Sequence, residues 1–448
     1  MRTLRYGGAS WRGYLRSWNT AVARGPRIEP LVAGILRAVR GEGDRALVRL
    51  TERFDGVRLR PGALRVPAAE VRALARRVDP AVAAALRRMA ARVHAFHAAQ
   101  KGRGFALRLR GGSVLEERVR PLDSAGLYVP GGAGAYPSSV LMNAIPARVA
   151  GVPRLFVVTP PRTLESNPAV AAALVIVGLE GSVFRVGGAQ AVAALAYGTE
   201  TVPAVHKIVG PGNAFVAEAK RQVRGLVEID FEAGPSEVVI LADETADPGH
   251  VAADLLAQAE HGSGGEAVLL VTPARELARE TVRLVREGLP SVANGPAARR
   301  ALGRRGAVIL VRDVQQGIDT VNALAPEHAQ VMTRAAATVA RAIVAGAVFV
   351  GEHSPVAVGD YGVGPNHVLP TGGAARFASA LSVRDFERRQ SLVRLTRKDL
   401  ARLAPDLARV ARAEGFVGHA QSVLTRFAHE PKANPGRSRG RRRNARTA

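Results

Sequence analysis

Apolar residues in the N-terminal quarter of the chain recur at intervals of three and four. Within Glu29–Gln100 this spacing is shown by Ile35, Ala38, Val39, Leu74, Val78, Val82, Leu86 and Met89. Such spacing places side chains on one face of a helix, so it predicts amphipathic helices. The preceding residues 1–25 are interpreted as a short polar arm. Further on, Phe105–Val119 is predicted to form two strands around a turn at Gly111 and Gly112.

From Gly126 onwards, short β-branched runs alternate with alanine-rich segments. The predicted strands are Leu155–Val158, Val183–Val186 and Lys207–Val209. The predicted helices that alternate with them are Val140–Ala150, Pro168–Val177, Ala189–Ala196 and Ala214–Val223. Strands that alternate with helices of this length favour βαβ units and a mostly parallel sheet.

A second α/β series follows the first. Its predicted elements are the strand Glu237–Leu241, the helix Pro248–Glu260 and the strands Ala267–Val271 and Ala307–Val311. After Arg384 the pattern is helical again and ends near Phe427. The sequence therefore predicts an α/β protein whose two units in series share a cleft.

The chain is strongly basic, with 63 Lys and Arg against 38 Asp and Glu, a formal charge of +25. Such a charge suits nucleic acid, and the segment Arg437–Arg446 is typical of non-specific phosphate contact. However, the excess is spread along the chain, is nearly all arginine, and accompanies no recognisable nucleic-acid module. We therefore expect nucleic-acid contact from the basic tail alone.

Cysteine is absent from the 448 residues. A disulfide, a thiolate metal site and a cysteine nucleophile are thereby excluded, and any metal needs His, Asp, Glu or amide ligands. The N-terminus has arginines but no apolar core of a secretory signal, and no run of about 20 residues stays apolar. The expected location is the cytoplasm, without a membrane span.

His94 and His97 are three residues apart on a predicted helix, a spacing that suits a metal. No carboxylate follows at a suitable distance, which favours a partly packed, partly solvated helix face instead. Gln258 and His261 also share a helix face and precede a glycine-rich turn, which suits either a cleft site or a structural histidine.

Three further segments combine carboxylates with imidazoles. Glu327 and His328 are adjacent, a pairing that suits a base and its partner. The glycine- and proline-rich segment Gly359–Pro370 carries Asp360, Asn366 and His367, and near the end Glu414 precedes His419. Taken singly, each segment is also compatible with a structural role.

Two glycine-rich loops precede predicted helices, where backbone N–H groups can cradle a phosphate. They are Pro130–Ser139 and Gly210–Asn213. Neither has the GxGxxG spacing or the acidic residue about 20 positions later that a Rossmann fingerprint requires. As cofactor signals they are weak on their own.

Together and in this order, the segments resemble the histidinol dehydrogenase family from about residue 29 to residue 427. The resemblance is carried by Gly126–Val152, Gly187–Thr199, Lys207–Ala219, Ala233–Val238, Gln258–His261, Leu324–His328, Gly359–Pro370 and Ala413–Val423. Several of these phrases are long, and their order and spacing fit as well.

The fold that the resemblance implies is two incomplete Rossmann-like α/β domains that share a cleft, with small helical N- and C-terminal domains. An arm, 1–28, precedes an α/β domain of 29–127 and 236–382 that carries most of the zinc and substrate site. Residues 128–235 are the NAD-contacting domain. A helical crossover domain, 383–430, and a basic disordered tail, 431–448, complete the chain.

The resemblance further implies one Zn²⁺ per subunit, held by Gln258, His261, Asp360 and His419. Imidazole, carboxylate and amide oxygen are borderline-to-hard ligands, and this set agrees with a chain that lacks thiols. In the family the last ligand comes from the partner subunit, because the C-terminal helices cross over in a homodimer. A monomer would then have an incomplete site.

The reaction implied is the oxidation of L-histidinol through L-histidinal to L-histidine with two NAD. His328 would be the base for the alcohol, and Glu327 would activate the water that attacks the aldehyde. Substrate contacts would come from Ser236, His367 and Glu414, besides His328 and the four zinc ligands. Tyr128, Gln190 and Asn213 match the NAD-contacting positions.

Two alternatives stay open at this point. A paralogue that oxidises another small alcohol, such as a sulfonated diol, would share zinc, NAD and the Glu327–His328 pair. Against it stands the presence of Ser236, His367 and Glu414, which would recognise imidazole and amine. The second alternative is a basic nucleic-acid-associated protein on an inactive enzyme scaffold, which the intact ligand and base set disfavours.

Overall fold

The structure is a computed structural model of the chain that describes residues 1–19, 28–131, 136–232, 234–262 and 264–428. Contacts divide the chain into two compact units. The first comprises 1–102 and 120–388, and the second comprises 103–119 and the chain from 389 onwards.

The strands of the described residues are β1 (Arg2–Arg5), β2 (Phe105–Arg108), β3 (Val114–Pro121), β4 (Ser124–Tyr128), β5 (Arg154–Thr159), β6 (Val183–Arg185), β7 (Lys207–Val209), β8 (Glu228–Ile229), β9 (Glu237–Ala242), β10 (Ala267–Thr272), β11 (Ala307–Leu310), β12 (His328–Met332), β13 (Ala347–Val350) and β14 (Glu387–Arg394).

The helices are α1 (Ala9–Asn19), α2 (Ile28–Glu42), α3 (Asp44–Asp55), α4 (Ala68–Ala75), α5 (Pro80–Ala98), α6 (Pro137–Ala150), α7 (Thr163–Ser166), α8 (Pro168–Ile176), α9 (Gly188–Tyr197), α10 (Ala214–Val223), α11 (Pro248–Ala259), α12 (Arg275–Gly288), α13 (Gly295–Arg304), α14 (Val314–Leu324), α15 (Ala336–Ala340), α16 (Ala357–Asp360), α17 (Arg397–Ala413) and α18 (Val417–Ala428). Short 3₁₀ turns lie at Pro61–Ala63, Leu289–Ser291, Ala374–Arg376 and Val383–Phe386.

A five-stranded parallel sheet has the order β6-β5-β4-β7-β8. The strand order reverses at β4, and in such sheets ligands bind beyond the carboxyl ends of the strands at this reversal. Buried apolar side chains cover both faces of the sheet: Leu127 belongs to one core cluster and Tyr128 to the other. The sheet is therefore the centre of an α/β/α sandwich.

A six-stranded parallel sheet has the order β1-β11-β10-β9-β12-β13. Its central strand β9 alternates between two cores, with Val239 and Leu241 on one face and Val238 and Ile240 on the other. Strands buried on both faces tend to be continuous apolar runs, which is why the sequence pattern identified β9, β10 and β11. The α/β class with two parallel sheets is thereby confirmed.

The helices α2–α5 pack on the five-stranded sheet. α2 lies against α9, α4 against α8 and α5 against α6, and their apolar side chains belong to the two cores of that sheet. The predicted domain of 29–127 with 236–382 joins these helices to the other sheet instead. That division into domains stays a prediction.

The prediction of a polar N-terminal arm is wrong for residues 1–19. β1 adds to the edge of the six-stranded sheet, and α1 buries Trp11, Tyr14 and Trp18 against it. These aromatic residues are spaced by three and four, which is typical of a helix, but the surrounding arginines led to the prediction of a polar segment.

The second unit contains β2, most of β3 and β14, and helices α17 and α18. The predicted hairpin around Gly111 is confirmed, with β2 antiparallel to β3. The expectation that the chain is only helical after Arg384 is wrong, because β14 extends the hairpin to three strands. β14 has no buried face, so no hydrophobic alternation marks it as a strand.

Among the described residues, no helix has the length and apolar content that crossing a membrane requires. The predicted basic tail, 431–448, lies outside the described residues.

Candidate active site

Glu327 and His328 lie at the amino end of β12, beside the amino end of β9. The register pairs His328 with Val238, so Glu237 is the neighbour of Glu327 across the two strands. The helix before them, α14, ends at Ala325, which has a left-handed backbone (φ 45°) and is fully buried. This conformation is costly for a residue other than glycine, so the turn into Pro326-Glu327-His328 is enforced by packing.

The backbone and side chain of Glu237 hold the pair. Its N–H donates to Oε2 of Glu327 (2.8 Å), and its carbonyl accepts from Nδ1 of His328 (2.9 Å). Its own Oε2 accepts from the N–H of Glu327 (3.4 Å). Since Nδ1 of His328 carries the bonded proton, its Nε2 keeps the lone pair and is the basic atom of the ring.

Burial shifts the pKa values of Glu327, Glu237 and His328. It raises the pKa of Glu327 to about 8, against hydrogen bonds from the Glu237 N–H and the Ser236 hydroxyl. Burial also raises the pKa of Glu237 to about 7, opposed by the Arg305 guanidinium, and it lowers the pKa of His328. A neutral imidazole next to a carboxyl group poised near neutral pH is suited to proton transfer.

Three of the predicted metal ligands come together in the first unit. Nε2 of Gln258 is 3.5 Å from Nδ1 of His261 at the carboxyl end of α11, and Nε2 of His261 is 3.9 Å from Oδ2 of Asp360. Because α11 runs back along the sheet after β9, its carboxyl end lies at the amino edge of the sheet, where Glu327 and His328 begin β12. Among the described residues, no three His, Asp or Glu side chains form a metal site by themselves.

The loop after Asp360 is fixed by buried hydrogen bonds. Nδ2 of Asn366 donates to the carbonyl of Met142 (2.7 Å) and lies 3.3 Å from Nε2 of His97. Nδ1 of His367 bonds to the carbonyl of Asp360 (3.2 Å), and its ring lies 3.7 Å from the Asp360 carboxylate. His97 therefore supports this loop, which agrees with the structural interpretation of the His94–His97 pair.

Glu414 and His419 belong to the second unit. Glu414 is the C-cap residue of α17, and His419 lies in α18 with its ring 5.1 Å from that of Phe416. Both side chains are exposed. Their predicted roles as substrate contact and fourth metal ligand remain predictions.

The predicted NAD contacts line one cleft of about 420 Å³ at the reversal point of the five-stranded sheet. Tyr128 ends β4, Gln190 lies in the first turn of α9, and Asn213 is the N-cap of α10. The Tyr128 hydroxyl accepts from the N–H of Gly188 (3.0 Å), and Oδ1 of Asn213 accepts from the N–H groups of the first turn of α10. The cleft is thus built where the doubly wound topology favours a ligand.

A buried ion pair holds the loop that carries Asn213. Lys220 bonds to Asp230, and both side chains are almost fully buried. Nζ of Lys220 also donates to the carbonyl of Gly210 (3.1 Å), while the Gly210 N–H donates to Oδ2 of Asp230 (2.8 Å). Gly210 has φ 116°, and a Cβ there would be 2.2 Å from the Tyr128 carbonyl oxygen, so this position requires glycine.

Glu237 and Arg305 are the site residues that sequence reasoning missed. Nη2 of Arg305 is 3.5 Å from Oε1 of Glu237, and its guanidinium lies 5.0 Å from the Trp18 ring centroid. The sequence contained a sign that Glu237 has a special role, since it is a charged residue at the start of an otherwise apolar strand. Arg305 had none, because the arginine-rich composition hides any single arginine.

A neutral buried imidazole, a carboxyl group beside it and a cleft at a sheet reversal point are the features of an α/β dehydrogenase. Comparison with known proteins identifies the group within this class. The sequence pattern of the histidinol dehydrogenase family matches residues 20–427.

Curated relatives are similar in sequence to this chain over nearly its whole length. Histidinol dehydrogenase from Gluconobacter oxydans is 49% identical over 399 residues, which cover 88% of this chain and 92% of the relative. Histidinol dehydrogenase from Listeria monocytogenes is 42% identical over 405 residues, which cover 90% of this chain and 94% of the relative. The crystal structure of histidinol dehydrogenase from Elizabethkingia anophelis superposes with a TM-score of 0.88 at 32% identity and covers 96% of this chain and 98% of that one.

The chain therefore belongs to the histidinol dehydrogenase family, whose members are oxidoreductases that act on CH–OH groups. The comparisons support neither the sulfonated-diol paralogue nor the nucleic-acid-associated protein.

The Lys220–Asp230 pair provides a test of how the cleft is built. Lys220→Met leaves the Asp230 carboxylate buried without a counter-charge, and breaking a buried pair in this way costs about 3–5 kcal/mol. We expect a lower midpoint of urea denaturation and faster amide hydrogen exchange in peptides that contain residues 210–213.

The double variant Lys220→Met/Asp230→Asn removes both charges and should recover part of the loss. Lys101→Met, at an exposed lysine, is the matched control and should leave the midpoint unchanged. Equal stability of Lys220→Met and Lys101→Met would show that the pair does not hold the loop.

Proposed function

We propose that this protein is a zinc-dependent histidinol dehydrogenase that oxidises L-histidinol through L-histidinal to L-histidine with two NAD, the last step of histidine biosynthesis. The observation that carries the proposal is the buried Glu327–His328 pair with its fixed tautomer, in a chain of this family. A four-electron oxidation needs a base for the alcohol and a second group for water, and the pair provides both.

His328 is the base for the alcohol step. Burial keeps the imidazole neutral at pH 7, and the bond from Nδ1 to the Glu237 carbonyl leaves Nε2 free to take the hydroxyl proton. As that proton leaves, the alcohol carbon gives its hydride to the first NAD and histidinal forms. The ring does not need to reorient, because the hydrogen bond fixes its plane.

Glu327 serves the second step. Its carboxylate removes a proton from the water that attacks the histidinal carbonyl, and the hydrated aldehyde gives a second hydride to the second NAD. The raised pKa of Glu327 makes its carboxylate a stronger base than an exposed glutamate. The Glu237 N–H and the Ser236 hydroxyl hold the oxygens in place.

The residues present fit zinc. An imidazole, a carboxylate and an amide lie in a row in the first unit, with Asp360 3.9 Å from His261 and Gln258 on the other side of the ring. Nitrogen and oxygen donors of this kind suit a borderline ion such as Zn²⁺. When bound, zinc would hold the amino group and imidazole of the substrate and so position the alcohol carbon.

The fourth ligand, His419, and the substrate contact Glu414 would come from the partner subunit of a homodimer. Their exposure on α17 and α18 supports this, since neither has a buried role within its own unit. Glu414 would face the cationic amino group of histidinol. Ser236 and His367 would contact the substrate from the first unit, beside Glu327 and Asp360 respectively.

NAD would occupy the cleft of Tyr128, Gln190 and Asn213, where the N-capped α10 points its amino end at the ligand. The proposed reaction draws on the NAD pool of the cytoplasm, so the cytoplasm is the proposed location.

The function is tested by NADH formation from L-histidinol. We expect two NADH per histidinol, loss of this activity after treatment with a chelator, and its return when Zn²⁺ is added. Magnesium added to the same apoprotein is the control and should not restore it, because Mg²⁺ prefers oxygen ligands. No NADH from zinc-loaded protein would contradict the proposed substrate.

The shared site is tested by mixing two inactive variants, His261→Asn and His419→Asn. If His419 acts across the subunit boundary, a mixed dimer contains one intact site, and up to about half of the wild-type activity per mixed dimer should return. Mixing His261→Asn with Asp360→Asn is the control. Both residues would bind the metal from the same subunit, so each site of this mixed dimer would lack one ligand and no activity should return. Verified mixed dimers of the first pair without activity would place all ligands in one subunit.

A further inference from the structure

The cleft on the five-stranded sheet contains a carboxylate that the function above does not use. Asp55 is the last residue of α3, before Gly56 in a left-handed conformation, and it lines the cleft together with Tyr128 and Gln190. Its Oδ2 is buried and has no hydrogen-bond partner among the described residues. Burial raises the pKa of this carboxyl group.

Such a position is unfavourable unless a ligand offsets the cost. Buried polar atoms nearly always have hydrogen-bond partners, so an orphaned carboxylate oxygen calls for one. The carboxyl end of a helix also carries a partial negative charge, which disfavours an acidic side chain there. The side chain as a whole is half-buried and lines the cleft, so its carboxylate can meet a ligand there.

The described lining of the cleft carries no positive charge, although the protein has 63 Lys and Arg. Among the described residues that line it, none is lysine or arginine. Residues 132–135, which follow Gly131 in the sequence and which the structure does not describe, are glycine and alanine. A group with an additional phosphate would thus meet a carboxylate and, among the described lining residues, no cation.

The positions of the catalytic pair and of the cleft, on different sheets, indicate which end of the cofactor occupies this cleft. The nicotinamide must reach the substrate at Glu327 and His328, which belong to the six-stranded sheet. The residues that line the cleft belong to the five-stranded sheet and its helices, and include neither of that pair. The cleft therefore suits the adenosine end of NAD, whose ribose presents hydroxyl groups as donors.

We propose that Asp55 accepts a hydrogen bond from the 2′-hydroxyl of the adenosine ribose and thereby makes the enzyme specific for NAD over NADP, which carries a phosphate at that oxygen. This inference rests on the proposed use of a nicotinamide dinucleotide. It adds a specificity-determining residue that is distant in sequence from Tyr128, Gln190 and Asn213.

The test measures the affinities of NAD, NADP and the analogue of NAD that lacks the adenosine 2′-hydroxyl, by calorimetry without histidinol. We expect Asp55→Asn and Asp55→Ser to weaken NAD binding about tenfold, the effect of one hydrogen bond to a charged group. They should leave binding of the deoxy analogue near its wild-type value and narrow the preference for NAD over NADP by at least tenfold.

Asp319→Asn is the matched control, since it changes the net charge equally at an exposed residue of α14, outside the cleft. Folding is checked by thermal unfolding, where both Asp55 variants should be at least as stable as wild type, because they remove a negative charge from the carboxyl end of α3. If both folded variants keep the wild-type ratio of NAD to NADP affinity, Asp55 does not discriminate the cofactors.

The two proposals fail in different ways. If histidinol yields NADH but the Asp55 variants bind both cofactors as wild type does, the function stands and the role of Asp55 is overturned. If NAD binding depends on Asp55 while histidinol yields no NADH, the role of Asp55 is supported and the substrate is wrong. If wild-type protein binds no NAD, the inference about Asp55 falls.

Discussion

The candidate site depends on one constraint: three ionisable side chains are buried together at the amino edge of the six-stranded sheet. Glu237, Glu327 and His328 have lost almost all contact with solvent, and each is held by hydrogen bonds to another of the three. Burial of this kind is tolerated only where the polar atoms find partners. The parallel pairing of β9 with β12 supplies those partners and sets the tautomer of the imidazole.

Other residues of the first unit hold this group in place and bring the remaining candidate site residues to it. Arg305 places a positive charge beside Glu237, and Trp18 of the N-terminal helix lies over that guanidinium. α11 returns Gln258 and His261 to the same edge, while buried Asn366 fixes the loop between Asp360 and His367. The site thus lies at the amino ends of these strands, whereas the cleft of the five-stranded sheet follows the usual rule and lies at the carboxyl ends.

Sequence patterns predicted β5, β6 and β7 of one sheet and β9, β10 and β11 of the other, because these buried strands are mostly short apolar runs. They missed β4 and β12, which are buried but mix apolar residues with polar residues or glycine. They also failed at β14, an exposed strand without alternation, and at α1, whose aromatic stripe is surrounded by arginines. Glu327, His328, Gln258 and His261 were found through resemblance to a family, since short polar motifs are ambiguous alone. Glu237 and Asp55 required the structure, because their importance lies in burial and in partners distant along the chain.

The central claim, that Glu327 and His328 divide the two oxidation steps, is tested most directly with Glu327→Gln. Glutamine keeps an acceptor for the Glu237 N–H but cannot deprotonate water. In single-turnover experiments we predict NADH from histidinol to fall from two per site to about one, and oxidation of added histidinal to slow by about 10²–10⁴. Glu352→Gln, at an exposed residue, should behave as wild type. Two NADH per histidinol at the wild-type rate from folded Glu327→Gln would contradict the account.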